Sequence, residues 1–434
     1  MASLNLVELA SALRTGELLI TNYLDHLKDQ FDLRESSILA FVPEEGRFGR
    51  LYREAEELLR RSPQPETRPP LFGIPVGIKD IFHVAGFATR AGSKLPPELL
   101  QGLEAESITA LKKAGALIMG KTVTTEFAYF GPGPTRNPHN PDHTPGGSSS
   151  GSAAAVAAGM CPLALGTQTI GSIVRPASFC GVVGYKPTYD RVSRAGVIPL
   201  SPSLDHIGLF TVDVAGAKLV ASLLCRDWTR SVEIGDLAMP TLGIPEGPYL
   251  NRASAEMLAH FRGMCRKLAE AGYEIKPVSV MPDFEAIYER HYLITNAEAA
   301  RVHQEWFRRF RDLYHFKTVE KLELGRAISN EALAQALGER EKFSDTITRL
   351  MNEHQIDLWI SPSAVGPAPK GLDSTGDPVM NLPWSQAGLP SINLPSGRNS
   401  DGLPLGLQLT ARWQDDEKLF EWATVIEKAI GNWQ

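Results

Sequence analysis

Pro145-Gly-Gly-Ser-Ser-Ser-Gly-Ser-Ala-Ala-Ala-Val-Ala-Ala-Gly159 is followed seven residues later by Gly166-Thr-Gln-Thr-Ile-Gly-Ser-Ile-Val-Arg-Pro176. Both stretches are crowded with glycine and hydroxyl side chains inside an otherwise ordinary sequence. A flexible Gly/Ser linker has this composition. A linker, however, has no reason to run straight into an alanine-rich segment of strong helix propensity. The pair therefore reads as two structured turns, the first of which opens a helix.

The chain as a whole sets the bounds. Its 434 residues, 43% hydrophobic and 22% charged, suffice for a sizeable core. A net charge of −6 argues against nucleic acid as a bulk electrostatic partner. No apolar run approaches the roughly 18 residues of a membrane span. Cys161, Cys180, Cys225 and Cys265 show neither C-x-x-C pairing nor zinc-type spacing, so free thiols and no metal are expected. Met1-Ala-Ser-Leu-Asn-Leu6 lacks the basic-then-apolar pattern of a secretory leader, and a cytoplasmic location is expected.

Upstream of the Gly/Ser turns, residues 4–30 read as two amphipathic helices. Leu6, Leu9 and Leu13 form one apolar face; Leu18, Tyr23, Leu24 and Leu27 form another. A third, charged helix over 47–61 stops at a proline cluster, and residues 1–65 together read as a helical wrapper. The runs 75–80 and 117–121 read as buried strands around a helix at 104–115. This strand–helix–strand order predicts a large parallel or mixed sheet covered by helices on both faces. The runs 182–185 and 208–212 read as further buried edges of that sheet.

Downstream, 242–244 reads as a strand and 254–272 as a helix. The runs 358–361, 391–394 and 406–409 return to strands, and Asp415 is placed to cap a last helix. Residues 283–354 read as helical almost throughout. Strands return on both sides of that block, so it reads as an insertion into one α/β domain spanning 1–434.

Two familiar motifs fail on context. Gly115-Ala-Leu-Ile-Met-Gly-Lys-Thr122 has the letters of a phosphate loop, yet it follows a helix and its interior is an apolar strand. Gly147-Ser-Ser-Ser-Gly151 has the letters of a nucleophile elbow centred on Ser149. Its lead-in contains Pro138, Pro141 and Pro145 and cannot be the strand that an elbow requires.

Lys79 ends the apolar run Gly73-Ile-Pro-Val-Gly-Ile-Lys79. One reading pairs it with Asp80 or another carboxylate at a strand end. The other is that desolvation lowers its pKa, leaving a neutral amine able to act as a general base. Gly171-Ser172 ends a glycine-bounded loop whose successive N–H groups can form an anion-binding nest, which suits acyl transfer.

Lys79, Gly146-Gly-Ser-Ser-Ser-Gly-Ser152 and Gly171-Ser172 with Arg175-Pro176 together resemble the amidase signature family. The spacings, 69 residues from Lys79 to Ser148 and 24 from Ser148 to Ser172, fit that arrangement. Flanking stretches are similar too, among them Lys121-Thr-Val-Thr-Thr-Glu-Phe127, Phe179-Cys-Gly-Val-Val-Gly-Tyr-Lys-Pro187, Leu382-Pro-Trp384 and Leu403-Pro-Leu-Gly-Leu-Gln408. The resemblance covers nearly the whole chain and implies one α/β domain around a large mixed sheet.

It also implies roles. Ser172 is the nucleophile, and Ser148, preceded in this family by a cis peptide, relays a proton to Lys79. The oxyanion rests on backbone N–H groups at Thr169, Ile170 and Gly171. No metal or organic cofactor is implied. The implied activity is hydrolysis of a C–N bond in a small-molecule amide through an acyl-enzyme. The alternative is a catalytic A-type component of an amidotransferase or carboxybiuret-hydrolase-like complex. A homodimer or a small accessory subunit is the compatible assembly.

The chain departs from the family at Ile170, where glycine is common, at Arg175, one residue later than usual, and at Thr167-Gln-Thr169, commonly acidic. These changes resemble stand-alone amidases more than the corresponding component of the aminoacyl-tRNA amidotransferases. Ile170, being β-branched, disfavours φ > 0 and fills space beside the scissile bond.

Ser149, Arg175, Thr125, Asp205 and Trp384 are weaker candidates around the substrate. Asp205 and His206 read first as loop-stabilising, Thr125 and Glu126 as structural, and Trp384 and Gln386 as core or pocket border. Arg301, His303, Arg308 and Arg309 read as a solvated face.

Overall fold

The hydrophobic runs on either side of the Gly/Ser turns fix the architecture. The structure, a computed structural model, describes residues 4–229 and 238–431; Met1, Ala2 and Ser3, on which the leader reading also draws, lie outside them. Three helices come first: α1 (Leu6–Thr15), α2 (Ile20–Ile38) and α3 (Arg47–Arg61). Asn5 and Glu8 close a capping box at the start of α1, which satisfies two N–H groups a bare helix end leaves unpaired.

The chain then alternates through β1 (Pro75–Lys79), α4 (Glu106–Lys113), β2 (Leu117–Thr122), α5 (Ser150–Ala157), β3 (Leu163–Gln168), α6 (Val174–Cys180), β4 (Val183–Lys186), β5 (His206–Thr211) and α7 (Val214–Leu224). Next come β6 (Leu242–Glu246), α8 (Ala255–Glu270), β7 (Ile275–Ser279), and the helical block α9 (Phe284–Val302), α10 (Gln304–Phe310), α11 (Phe316–Arg326) and α12 (Asn330–Glu353). The chain ends with β8 (Leu358–Pro362), α13 (Leu382–Gln386), β9 (Ser391–Arg398), β10 (Pro404–Thr410) and α14 (Asp416–Ile430).

Among the described residues the strands form one ten-stranded sheet in the order β2-β1-β3-β5-β4-β9-β10-β8-β6-β7. It is mixed: β1 runs parallel to β2 and β3, and β6 to β7 and β8, while the middle of the sheet is antiparallel. Every residue of β1 to β5 is buried, as strands covered on both faces must be. The α/β fold with a large mixed sheet expected above is the one observed.

Four expectations need correction. β4 and β5 are not edges: they lie in the middle of the sheet, between β3 and β9. A short apolar run records burial, not position. Second, the loop expected around Thr167 is the end of β3, which runs to Gln168. Its Gly166 marks close approach, since a Cβ there would lie 2.7 Å from both Ser149 Oγ and the Phe210 ring.

Third, β7 has no counterpart in the sequence reading; it is an outer strand that tolerates Pro277 because one edge needs no N–H donor. Fourth, Asp415 occupies the N-cap position of α14 but makes no capping bond; it pairs with Lys418 at 2.9 Å. The buried anchor is its neighbour Asp416, which accepts from Thr188 N at 2.8 Å and pairs with Arg191 at 3.0 Å.

Candidate active site

β1 delivers Lys79 to the middle of the molecule, with 0% of its surface exposed. Its Nζ lies 2.7 Å from Ser148 Oγ and 2.7 Å from Thr167 Oγ1, with Thr167 O at 3.4 Å. No carboxylate among the described residues reaches it. Asp80 turns away and pairs instead with Lys121 at 2.7 Å. Burial therefore drives the Lys79 pKa well below the usual lysine value, opposed only by the charge of Asp205.

Ser148 sits in the turn that opens α5, behind a cis Gly147–Ser148 peptide. Gly146 precedes it at φ 82°, and a Cβ there would meet Pro176 Cα at 2.8 Å, so the position takes only glycine. The neighbouring hydroxyls are committed to structure. Ser149 Oγ donates to Thr167 O at 3.1 Å, and Ser150 Oγ to Gly146 O at 2.8 Å.

Ser172 lies between β3 and α6 and retains 9% exposure. Its Oγ makes no side-chain hydrogen bond among the described residues. The backbone N–H groups of Thr169, Ile170, Gly171 and Ser172 likewise donate no hydrogen bond to protein among the described residues. Ile170 does not enter positive φ, so the backbone conflict its branching threatened does not arise. Gly171 is required for space: a Cβ would stand 2.4 Å from Asn381 Oδ1.

The two turns are tied together from behind. Arg175, in the first turn of α6, donates from Nη2 to Gly147 O at 2.6 Å and to Thr375 Oγ1 at 3.1 Å, and from Nη1 to Gly376 O. Burial lowers its pKa to about 10, against the pull of Asp377 and Tyr292. Loop 375–378 covers both turns, with Thr375 against Gly147 and Pro378 against Gly171.

Of the weaker candidates, Thr125 N donates to Ser148 O at 3.2 Å, within a loop whose Phe127 and Ala128 adopt left-handed φ. Asp205 accepts from Thr169 Oγ1 at 2.5 Å and from Leu200 N and Ser201 N, and burial raises its pKa to about 6. His206 Nδ1 lies 3.1 Å from Gln168 O. Glu126 accepts from His315 N at 3.0 and 2.9 Å, tying its loop to the helical block. Trp384 is buried core, donating to Tyr249 OH at 3.0 Å and packed against the rings of Trp359 and Tyr249; Gln386 bonds Ile287 O and Arg290. Arg301, Arg308 and Arg309 are exposed, but His303 is not part of that face. It is buried 4.5 Å from the Phe127 ring and 3.0 Å from Tyr314 OH.

Sequence reasoning missed the residues that hold the loop. Gln168 Oε1 accepts from Ile173 N at 2.8 Å and Val174 N at 3.0 Å, while Nε2 donates to Ser385 Oγ at 2.9 Å. Ser385 in turn donates to Ile170 O at 2.7 Å. The one signal in the sequence was an amide side chain where this family is commonly acidic.

Among the described residues, no group of three or more His, Cys, Asp and Glu side chains is arranged to hold a metal ion, and no helix is long and apolar enough to cross a membrane. All four cysteines are buried and free.

Comparisons with known proteins identify the family. The Amidase family profile matches residues 45–420. The A component of the glutamyl-tRNA(Gln) amidotransferase of Trichlorobacter lovleyi is 34% identical over 409 residues, covering 83% of this chain and 84% of that protein. A crystal structure of an amidase superposes with a TM-score of 0.90 at 31% identity, over 99% of this chain and 100% of that one. The native peptide amidase from Stenotrophomonas maltophilia gives a TM-score of 0.83 at 26% identity, over 98% and 97%. The chain belongs to the amidase family.

Proposed function

We propose that this protein is an amidase that hydrolyses the C–N bond of a small-molecule amide through Ser172, Ser148 and Lys79. The observation that carries the reading is Lys79: a fully buried lysine without a carboxylate partner among the described residues, 2.7 Å from Ser148 Oγ. Its depressed pKa keeps a neutral amine available as a base.

Ser172 Oγ attacks the carbonyl carbon while its proton passes to Ser148, whose own proton moves to Lys79 Nζ. The carbonyl oxygen, now negative, is stabilised by the free N–H groups at Ile170, Gly171 and Ser172, with Thr169 holding the loop to Asp205. The intermediate collapses, the C–N bond breaks, and the proton returns from Lys79 through Ser148 to the departing nitrogen. Water then attacks the acyl-enzyme by the same relay and frees the acid.

Arg175, anchored on the carbonyl before Ser148, holds the two turns in register. The helical block at 283–354 shapes the substrate pocket, because α9 reaches the loop beside Ser148 through the Tyr129–Asn296 hydrogen bond. The reaction needs no cofactor, and a cytoplasmic location fits it.

The test is direct. Ser172→Ala and Lys79→Ala are expected to fold with near-native melting temperatures and lose nearly all turnover across aliphatic, aryl and ureido amides. Wild-type-like rates in either variant refute the reading.

A second reading is favoured by the relatives that are components of glutamyl-tRNA(Gln) amidotransferases. In it the same residues release ammonia only beside an accessory partner chain. Amidase activity of the purified chain alone decides for the first reading; activity that appears only with a co-purifying partner decides for the second.

A further inference from the structure

The helical block carries a second concave site. A cleft of about 480 Å³ opens between α9, α10, α11 and the start of α12. Arg301, Arg308, Arg311 and Arg326 line it and, among the described residues, no carboxylate does, in a chain whose net charge is −6. Arg308 and Arg311 are ion-paired, which leaves Arg301 and Arg326 as like charges that repel one another, and an anion between them turns that repulsion into attraction.

The guanidinium groups are held in place. Arg301 Nη2 donates to Asn330 Oδ1 at 2.7 Å, and Arg311 and Arg326 lie 5.9 and 6.0 Å from the centre of the Phe307 ring. Glu305 and Glu323 pair with Arg308 at 2.9 Å and Arg311 at 2.5 Å from outside the cleft. Arg301 and Arg326 have no carboxylate partner among the described residues. Beneath them the floor is apolar, with Phe307 and Leu322 buried.

We propose that this cleft binds a small ligand carrying a multiply charged oxyanion, a phosphate or polycarboxylate, on an apolar or aromatic body. The planar guanidinium fork matches both oxyanions in paired N–H···O contacts. The volume falls within the roughly 300–1,000 Å³ of small-molecule sites. The apolar floor takes the body of the ligand while Arg301 and Arg326 take its charge. The site is separate from the serine turns and does not depend on the amide chemistry.

Calorimetric titration of the full chain at low salt tests it, with phenyl phosphate in one arm and phthalate in the other. At least one probe should bind saturably with a Kd below about 1 mM, and added salt should weaken it. The arm that binds more tightly identifies the oxyanion. Arg301→Ala/Arg326→Ala should bind that probe at least about tenfold more weakly at an unchanged melting temperature, since both side chains are exposed. If that pair melts early, Arg326→Gln alone should still weaken binding measurably. Failure of the wild-type chain to bind either probe, or equal binding by the variants, overturns the proposal. So does an acidic peptide that binds where both small probes fail.

Discussion

Gly171→Ala tests the loop beside Ser172 at its tightest point. The added Cβ would stand 2.4 Å from Asn381 Oδ1 and 3.0 Å from Pro378 Cβ. Asn381 cannot swing aside, because its Nδ2 is committed to Ser363 O and Gln408 Oε1, both at 2.9 Å. The loop must therefore yield, by at least about 0.6 Å before the contact becomes tolerable. A displacement approaching 1 Å costs on the order of a hundredfold in rate, and losing one oxyanion donor costs about 3 kcal/mol. The two estimates agree.

We therefore expect kcat on any amide the wild type turns over to fall about 10²–10³-fold, with KM moving much less. Overpacking adds a stability loss of about 1–3 kcal/mol, readable by thermal melting. Gly171→Ala combined with Asn381→Ala opens the space again and should recover part of the lost rate. If Gly171→Ala alone keeps kcat within about threefold of wild type, less than one donor's worth, the loop is not the oxyanion site.

Asp205 raises the proton affinity of Lys79 against desolvation, so Asp205→Asn should lower the Lys79 pKa further. Neutral amine is lost as pH falls through that pKa; the acid limb of the kcat/KM profile should therefore move to lower pH. A limb that stays or moves upward contradicts the assignment of Lys79 as base. Lys121→Met leaves the Asp80 carboxylate buried and unpaired, and should cost about 3–5 kcal/mol in denaturant unfolding. Asp80→Leu added to it should restore most of that loss.

Much of this architecture is legible in the chain itself. The apolar run ending in Lys79 announces a buried strand, while Ser148 and Ser172 stand out from a crowded stretch only through the family resemblance. Ser149 could be set aside as an elbow nucleophile from its proline-rich lead-in, and its hydroxyl is bonded to Thr167 O. What the sequence hides is contributed from a distance. Ser385 and Asn381 reach the loop around Ser172 from more than 200 residues away, and no local pattern marks such partners. The end of β3 is obscured because Gly166 is a poor strand former, tolerated where neighbours close in on it. His303 reads as surface among charged neighbours, yet a remote loop folds Phe127 over it.

The most direct test of the central claim is covalent capture. Intact-mass and peptide mass spectrometry after treatment with a fluorophosphonate should place one adduct on Ser172. Lys79→Met should slow its formation by orders of magnitude in an otherwise folded protein. Labelling of Ser148 or Ser149 instead, or labelling of Ser172 at an undiminished rate without Lys79, would contradict the account.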